Sequence, residues 1–195
     1  MSAALSPAEG ASLLALGRAA IEDRLLGGGV LARVRAGTAL TGALGGLRAC
    51  FVTLEAHDVL RGCIGSTEPR HPAHEAVVRA AVAAAFDDPR FSPLTAPELP
   101  AVSLSVSALS AMTPLTTVEA LVLGVHGVAL QAANGGAIFL PEVAPNHGWS
   151  RDELLRQLAR KAGLSDEGWR EGRLYVFSSQ RFSEPACDPA RIRRS

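Results

Sequence analysis

The stretch VLRGCIGS, Val59 to Ser66, sets a cation two residues before a thiol, Arg61 and Cys63, inside a run patterned like a β-strand. On an unbroken strand, side chains alternate, so Arg61 and Cys63 share a face with Cα atoms roughly 6.7 Å apart. A cation favours the thiolate; at ~6 Å and an effective dielectric of ~40, Coulomb's law gives about 1.4 kcal/mol. That makes Cys63 a receptive thiol, and a strong nucleophile needs a histidine or a helix N-terminus as well. Gly62 and Gly65 carry a second message. Glycine weakens a strand and marks a bulge, a bend or the close approach of a ligand or another backbone. Two readings follow. Either Cys63 and Arg61 act on a substrate held against Arg61, Gly62, Ile64, Gly65 and Ser66, or Cys63 is a small buried apolar group and the glycines let a helix pack closely.

The strand needs neighbours to hold it. LRACFVTLEA ahead of it and VLRGCIGS, separated by His57 and Asp58, read as a hairpin. A two-residue turn there sets Cys63 opposite Val52 and Gly65 opposite Cys50, with Cys50 diagonal to Cys63 on one face. Pro7 opens a helix carrying Leu13, Leu14, Leu16, Ile21, Leu25 and Leu26 at helical spacing, and Gly27 to Gly29 stop it. VLARVRAGTALTGALGG lacks periodicity and reads as a surface loop. HPAHEAVVRAAVAAAF is an Ala-rich helix closed at DDPRF, where Pro89 ends it. AVSLSVSALS alternates apolar residues with serine, the mark of a strand with one buried face.

Further on, GVALQAANGGAIFLP offers a second hairpin, with Asn134, Gly135 and Gly136 supplying the turn's positive φ values. SRDELLRQLARKAGL has a capping box at Ser150 and Glu153 and a stop at Gly163. Arg173 to Phe182 reads as a last strand. Strands in consecutive pairs between helices predict an α+β fold with a mainly antiparallel sheet and a smaller second subdomain. The expected organisation is a disordered stretch over 1–8, one domain over 9–184 and a tail over 185–195.

Composition narrows the chemistry. The 195 residues carry no formal net charge and are 48% hydrophobic. Without a clustered basic patch, a nucleic-acid surface is not expected. No leader pattern or membrane-length apolar run is present, so the expected location is cytoplasmic. Eighteen arginines against the single lysine, Lys161, suggest a GC-rich coding background, which lowers the weight of any one arginine. Cys50, Cys63 and Cys187 have no metal-binding spacing and are expected to be free thiols. GTALTG has phosphate-loop glycines, but Ala43 and Leu44 stand where Lys and Ser or Thr are needed. HEAVV begins like a zinc-protease helix, but Val78 replaces its second histidine. His71 and His74 lack a third ligand partner, and neither a metal nor a cofactor is expected.

LRGCIG, Leu60 to Gly65, resembles the signature hexapeptide of the AMMECR domain family. FVTLEAHDVLRGCIGS, DDPRFSPL, VSLSVSALSAMTPL, GVHGVALQAANGGAIFLPEVAPNHGW and SRDELLRQLARKAGL resemble that family in its order, from about Glu9 to Glu184. Within it, the chain is most similar to the AmmeMemoRadiSam system protein A branch. That resemblance implies an α+β fold of two subdomains. It also implies two partners in a modification pathway, a Memo-like protein similar to class III extradiol dioxygenases and a radical SAM enzyme. The substrate would be a small molecule or peptide. The resemblance assigns no role to Thr67 to Pro72, the His57–Asp58 turn or His147, which depart from the family pattern.

Overall fold

The computed structural model describes residues 4–133 and 135–185. In chain order the elements are α1 (Pro7–Leu26), α2 (Val30–Ala36), β1 (Cys50–Ala56), β2 (Val59–Gly65), α3 (Ala73–Phe86), β3 (Val102–Leu109), β4 (Thr113–Pro114), β5 (Gly127–Ala132), β6 (Gly135–Phe139), α4 (Val143–His147), α5 (Arg151–Lys161), β7 (Arg173–Phe177) and β8 (Ser179–Ser183). The fold is α+β, as expected, and divides into two compact units, one of residues up to Leu109 plus the chain from Gln180, the other Ser110–Ser179.

The first unit holds a four-stranded sheet in the order β2-β1-β3-β8, with β1 antiparallel to both β2 and β3. Strand alternation turns Cys50, Val52 and Leu54 to one face, where they meet Leu104 and Val106 of β3 and the apolar stripes of α1 and α3 in one core. Leu13, Leu16, Ile21 and Val77 are sealed there, each worth about 1.5–3 kcal/mol of transfer free energy. α3 suits that position because its inward residues are mostly alanine: Ala73, Ala80, Ala81, Ala84 and Ala85 let its backbone sit close to the sheet.

Folded structure begins ahead of residue 9. Leu5 is buried, its N–H donates to the Gln180 side chain at 2.8 Å, and Ser6 and Glu9 form a reciprocal capping box with Pro7 at the first helical position. The region expected as a loop after α1 contains α2. Its missing side-chain cap is replaced from α1, where the Asp23 carboxylate accepts from the Val30 N–H at 2.9 Å, a tertiary contact that local periodicity does not encode. β3 is buried on both faces: Ser105 and Ser107 are as inaccessible as the apolar residues between them, and the Ser105 hydroxyl accepts from Arg181 at 3.2 Å.

The second unit holds a sheet in the order β4-β7-β5-β6, packed with α5 through Leu154, Leu155 and Leu158. Ser150 caps α5 by accepting from the Glu153 N–H, and Gly163 at φ +76° ends it, as the sequence predicts; the expected capping box is only half formed, because the Glu153 carboxylate bonds Gln157 and Arg156. The β5–β6 turn is shorter than expected. Ala132 pairs with Gly135, so the link is Ala133–Asn134, and Gly135 and Gly136 belong to β6 without positive φ; Asn134 itself lies outside the described residues. Gly135 serves close approach, since a Cβ there would meet the Ala162 carbonyl oxygen at 2.6 Å. The last expected strand is split at Ser178, its halves joining different sheets. Among the described residues, no helix is long and apolar enough to cross a membrane.

At Gly62 a Cβ would lie 2.1 Å from the Ala84 carbonyl oxygen of α3, a contact with backbone, whereas the equally close approach at Gly10 is to the Phe182 side chain. A backbone atom cannot rotate away, so Gly62→Ala is expected to cost about 3 kcal/mol, the upper end of overpacking. Gly27→Ala, at φ +72° with nothing within 4 Å, should cost about 1 kcal/mol. Urea unfolding of the two variants measures the difference; equal losses would place the constraint elsewhere.

Candidate functional site

His57 and Asp58 take left-handed conformations, φ 53° and 61°, and make the expected two-residue turn that starts the hairpin with Ala56 opposite Val59. The ladder then slips by one. Leu60 pairs with Glu55 and Gly62 with Leu54, leaving Arg61 as the extra residue of a β-bulge. Cys63 therefore stands opposite Thr53, and Gly65 opposite Phe51, one residue from the expected register. Two consequences follow. Cys50 lies in the helix-side core while Cys63 and Thr53 share the other face, so the two thiols are not neighbours on one surface. Alternation from Arg61 to Cys63 is also broken at the bulge.

The Arg61 charge is spoken for. Its guanidinium bonds the Glu98 carboxylate at 2.9 and 3.4 Å and lies 5.9 Å from the centre of the Phe91 ring. Glu98 is fixed in turn by a capping box with Thr95 at the head of a short 3₁₀ helix, Ala96–Ala101. Arg61, with the Thr95 hydroxyl, holds the Glu98 carboxyl down at about 2. The cation expected to polarise Cys63 is thus neutralised by a partner 37 residues away.

Cys63 is held by its backbone. β2 is the edge strand, so the outward N–H and C=O of Cys63 have no strand to bond. The turn after α3 takes both: the Asp88 carboxylate accepts from the Cys63 N–H at 2.8 Å, and Arg90 donates to the Cys63 carbonyl at 3.3 Å. Arg90 also grips Asp88 at 2.7 and 3.0 Å. Asp88 is buried, with 4% exposure, and these donors, Arg90 foremost, hold its carboxyl well below the usual carboxylate range. The half-buried Cys63 sulfur lies 3.3 Å from the Thr53 hydroxyl oxygen. Among the described residues, no histidine or second carboxylate joins Cys63 in a nucleophile–base arrangement.

The bare backbone of Gly62 is covered by α3 itself, and that of Gly65 is closed by the Cys50 carbonyl and Phe51, within 2.3–2.5 Å of a Cβ position. Both glycines therefore serve internal packing. Space opens further along the strand. Ile64, Gly65 and Ser66 line a cavity of roughly 240 Å³ between the end of β2 and the flank of α3, floored by Arg48 and Cys50 and walled by Ala76, Ala80 and Ala83. Of the predicted binding residues, these three border the cavity, whereas Arg61 and Gly62 do not, nor does the candidate nucleophile Cys63. Burial pushes the Cys50 thiol up to about 12, so it is inert there. His71 lines the cavity and His74 does not; among the described residues, no group of three His, Cys, Asp or Glu side chains is placed to hold a metal.

Asp88, Arg90 and Glu98 are the residues that sequence reasoning missed. DDPRF carried a signal, because an Asp before Pro favours a turn whose carboxylate bonds nearby backbone N–H groups. Its partner strand could not be read from it. Asp88→Ala leaves the Cys63 N–H without an acceptor and should cost about 1–3 kcal/mol in urea unfolding. Because Asp88 and Glu98 titrate lower in the folded than in the unfolded chain, their stabilisation is complete above the unfolded values and is lost as pH falls. Acid titration of stability should show that loss from about 4.5 down to about 2 for Glu98 and continuing lower for Asp88. In Asp88→Ala the low-pH part of the slope should flatten; an unchanged slope would remove Asp88 from the account.

Known proteins resemble this chain over most of its length. A protein of Thermofilum pendens is 36% identical over 92% of both chains, and one of Methanothermobacter thermautotrophicus is 36% identical over 93% of this chain and 97% of its own. The crystal structure of uncharacterized protein PH0010 from Pyrococcus horikoshii superposes with a TM-score of 0.78 at 28% identity, covering 91% of this chain and 92% of that one. The AMMECR1 family model matches residues 14–182, from within α1 to within β8, including the Cys63 strand and the Asp88 turn that holds it. This chain belongs to the AMMECR1 family.

Proposed function

We propose that this protein is the ligand- or substrate-binding component of a modification system whose bond chemistry is carried out by a Memo-like protein and a radical SAM enzyme. Its ligand occupies the cavity at Ile64, Gly65 and Ser66, and Cys63 does not react. The observation that carries this reading is the contrast between the two ends of the LRGCIG strand. At Arg61 to Cys63 the Arg61 guanidinium, the Cys63 backbone N–H and C=O and the Cys63 sulfur have partners within the protein. At Ile64 to Ser66 the strand borders open space of metabolite size, a little below the range of drug-sized pockets. The two partners come from the likeness to the AmmeMemoRadiSam branch. A second reading, thiol chemistry at Cys63, is favoured by its partial exposure.

Iodoacetamide labelling with mass mapping separates the two. Cys63 is expected to react no faster than glutathione, with Cys50 unlabelled as the internal reference. Labelling of Cys63 well above the glutathione rate would favour the thiol reading. Tagged protein should retain the Memo-like and radical SAM proteins in a pull-down, and Cys63→Ser should retain them equally; association with neither would end the partner assignment.

A further inference from the structure

Elsewhere, arginines such as Arg61, Arg90, Arg160 and Arg170 stand apart, each facing a carboxylate. The cavity lining gathers three guanidiniums, Arg48, Arg70 and Arg79, with the His71 imidazole and one carboxylate, Glu68, which Arg70 engages; Glu9 acts on Arg48 from outside the lining. Arg79 makes no hydrogen bond or ion pair among the described residues, although Glu75 lies one helical turn before it. Arg48 is only 3% exposed and sits beside a thiol that burial keeps neutral. A chain of zero net charge has no background reason to concentrate cations here. The wall opposite them is apolar, made by Ile64, Ala76, Ala80 and Ala83.

We propose that the cavity binds a small organic anion, with its carboxylate or phosphate between Arg48, Arg70 and Arg79 and its apolar body against Ile64 and the alanines of α3. Guanidinium forks match both oxyanions in planar, two-point fashion, which a lysine would not reproduce. Ser66, at the mouth, adds a hydroxyl that now bonds the Glu68 backbone and fixes the turn carrying Arg70. Arg70 and His71 belong to the segment to which the family resemblance assigns no role.

This assignment rests on the ligand-cavity reading above, and the probes separate the two. Titration calorimetry at low ionic strength would use phenyl phosphate, benzoate, benzyl alcohol and benzylamine against the intact protein. Phenyl phosphate or benzoate should bind, the stronger of the two naming the oxyanion, and benzylamine should not. Arg79→Ala and Arg70→Ala should each weaken that binding about tenfold, the value of one charge-assisted hydrogen bond. Arg170→Ala in the second unit should leave it unchanged. Arg48 is buried, so its variant could fail to fold; the two rim variants carry the test. Benzyl alcohol or benzylamine binding as well as the anions would overturn the ligand class while leaving the cavity a binding site. Anion binding indifferent to Arg70 and Arg79 would overturn the site. Binding of none of the four would overturn the cavity reading itself.

Discussion

The contact between Gly62 and the Ala84 carbonyl sets the geometry of everything around it. α3 runs antiparallel to β2, so Ala84 rests on Gly62 while Ala80 and Ala76 fall beside Ile64 to Ser66. Where the helix touches the strand there is no room for even a methyl group. Farther along, where the strand ends and the chain turns away through Ser66 and Glu68, the same helix flank leaves a cavity. One close approach therefore divides the LRGCIG segment into a sealed half and an open half. It also fixes where α3 ends: Asp87 and Asp88 emerge directly beside the edge of β2, within reach of the Cys63 backbone.

That edge would otherwise be exposed. Cys63 presents an outward donor and acceptor that an edge strand offers to any passing chain. Asp88 and Arg90 supply an acceptor and a donor in the matching order, bound to one another as well as to the strand, so the turn imitates a further strand without extending the sheet. The bulge at Arg61 completes the arrangement. A bulge raises local twist and re-aims a side chain, and here the freed residue is drawn to Glu98, where the Thr95 cap has already fixed a carboxylate.

Local grammar made much of this legible and tertiary contacts made the rest illegible. The His57–Asp58 hairpin, the alanine helix, the capped α1 and α5 and the α+β class all follow from spacing, turn residues and caps. The register does not. Pairing inferred from the turn alone holds as far as Leu60 and fails at Arg61, because the helix pressed on Gly62 and the Asp88 turn beside Cys63 determine it from 22 and 25 residues away. α2 was hidden for the same reason, its cap coming from Asp23 in the preceding helix. Ser105 and Ser107 misled by polarity, since a buried serine with a hydroxyl partner in the fold has the same pattern as an exposed one.

The glycines and the arginines exchanged meanings between sequence and structure. Gly62 and Gly65 drew attention as a bare backbone that a ligand could touch, and the protein's own atoms occupy that space. The arginines looked like coding background, and several, such as Arg61 with Glu98, Arg90 with Asp88 and Arg160 with Asp166, are matched with carboxylates. Three of them lining one cavity have a different physical meaning. Burying Arg48 beside a neutral thiol costs solvation, and placing Arg70 and Arg79 around the same space adds like-charge repulsion. An anion entering the cavity would offset both costs, which gives physical sense to gathering guanidiniums against the alanine flank of α3.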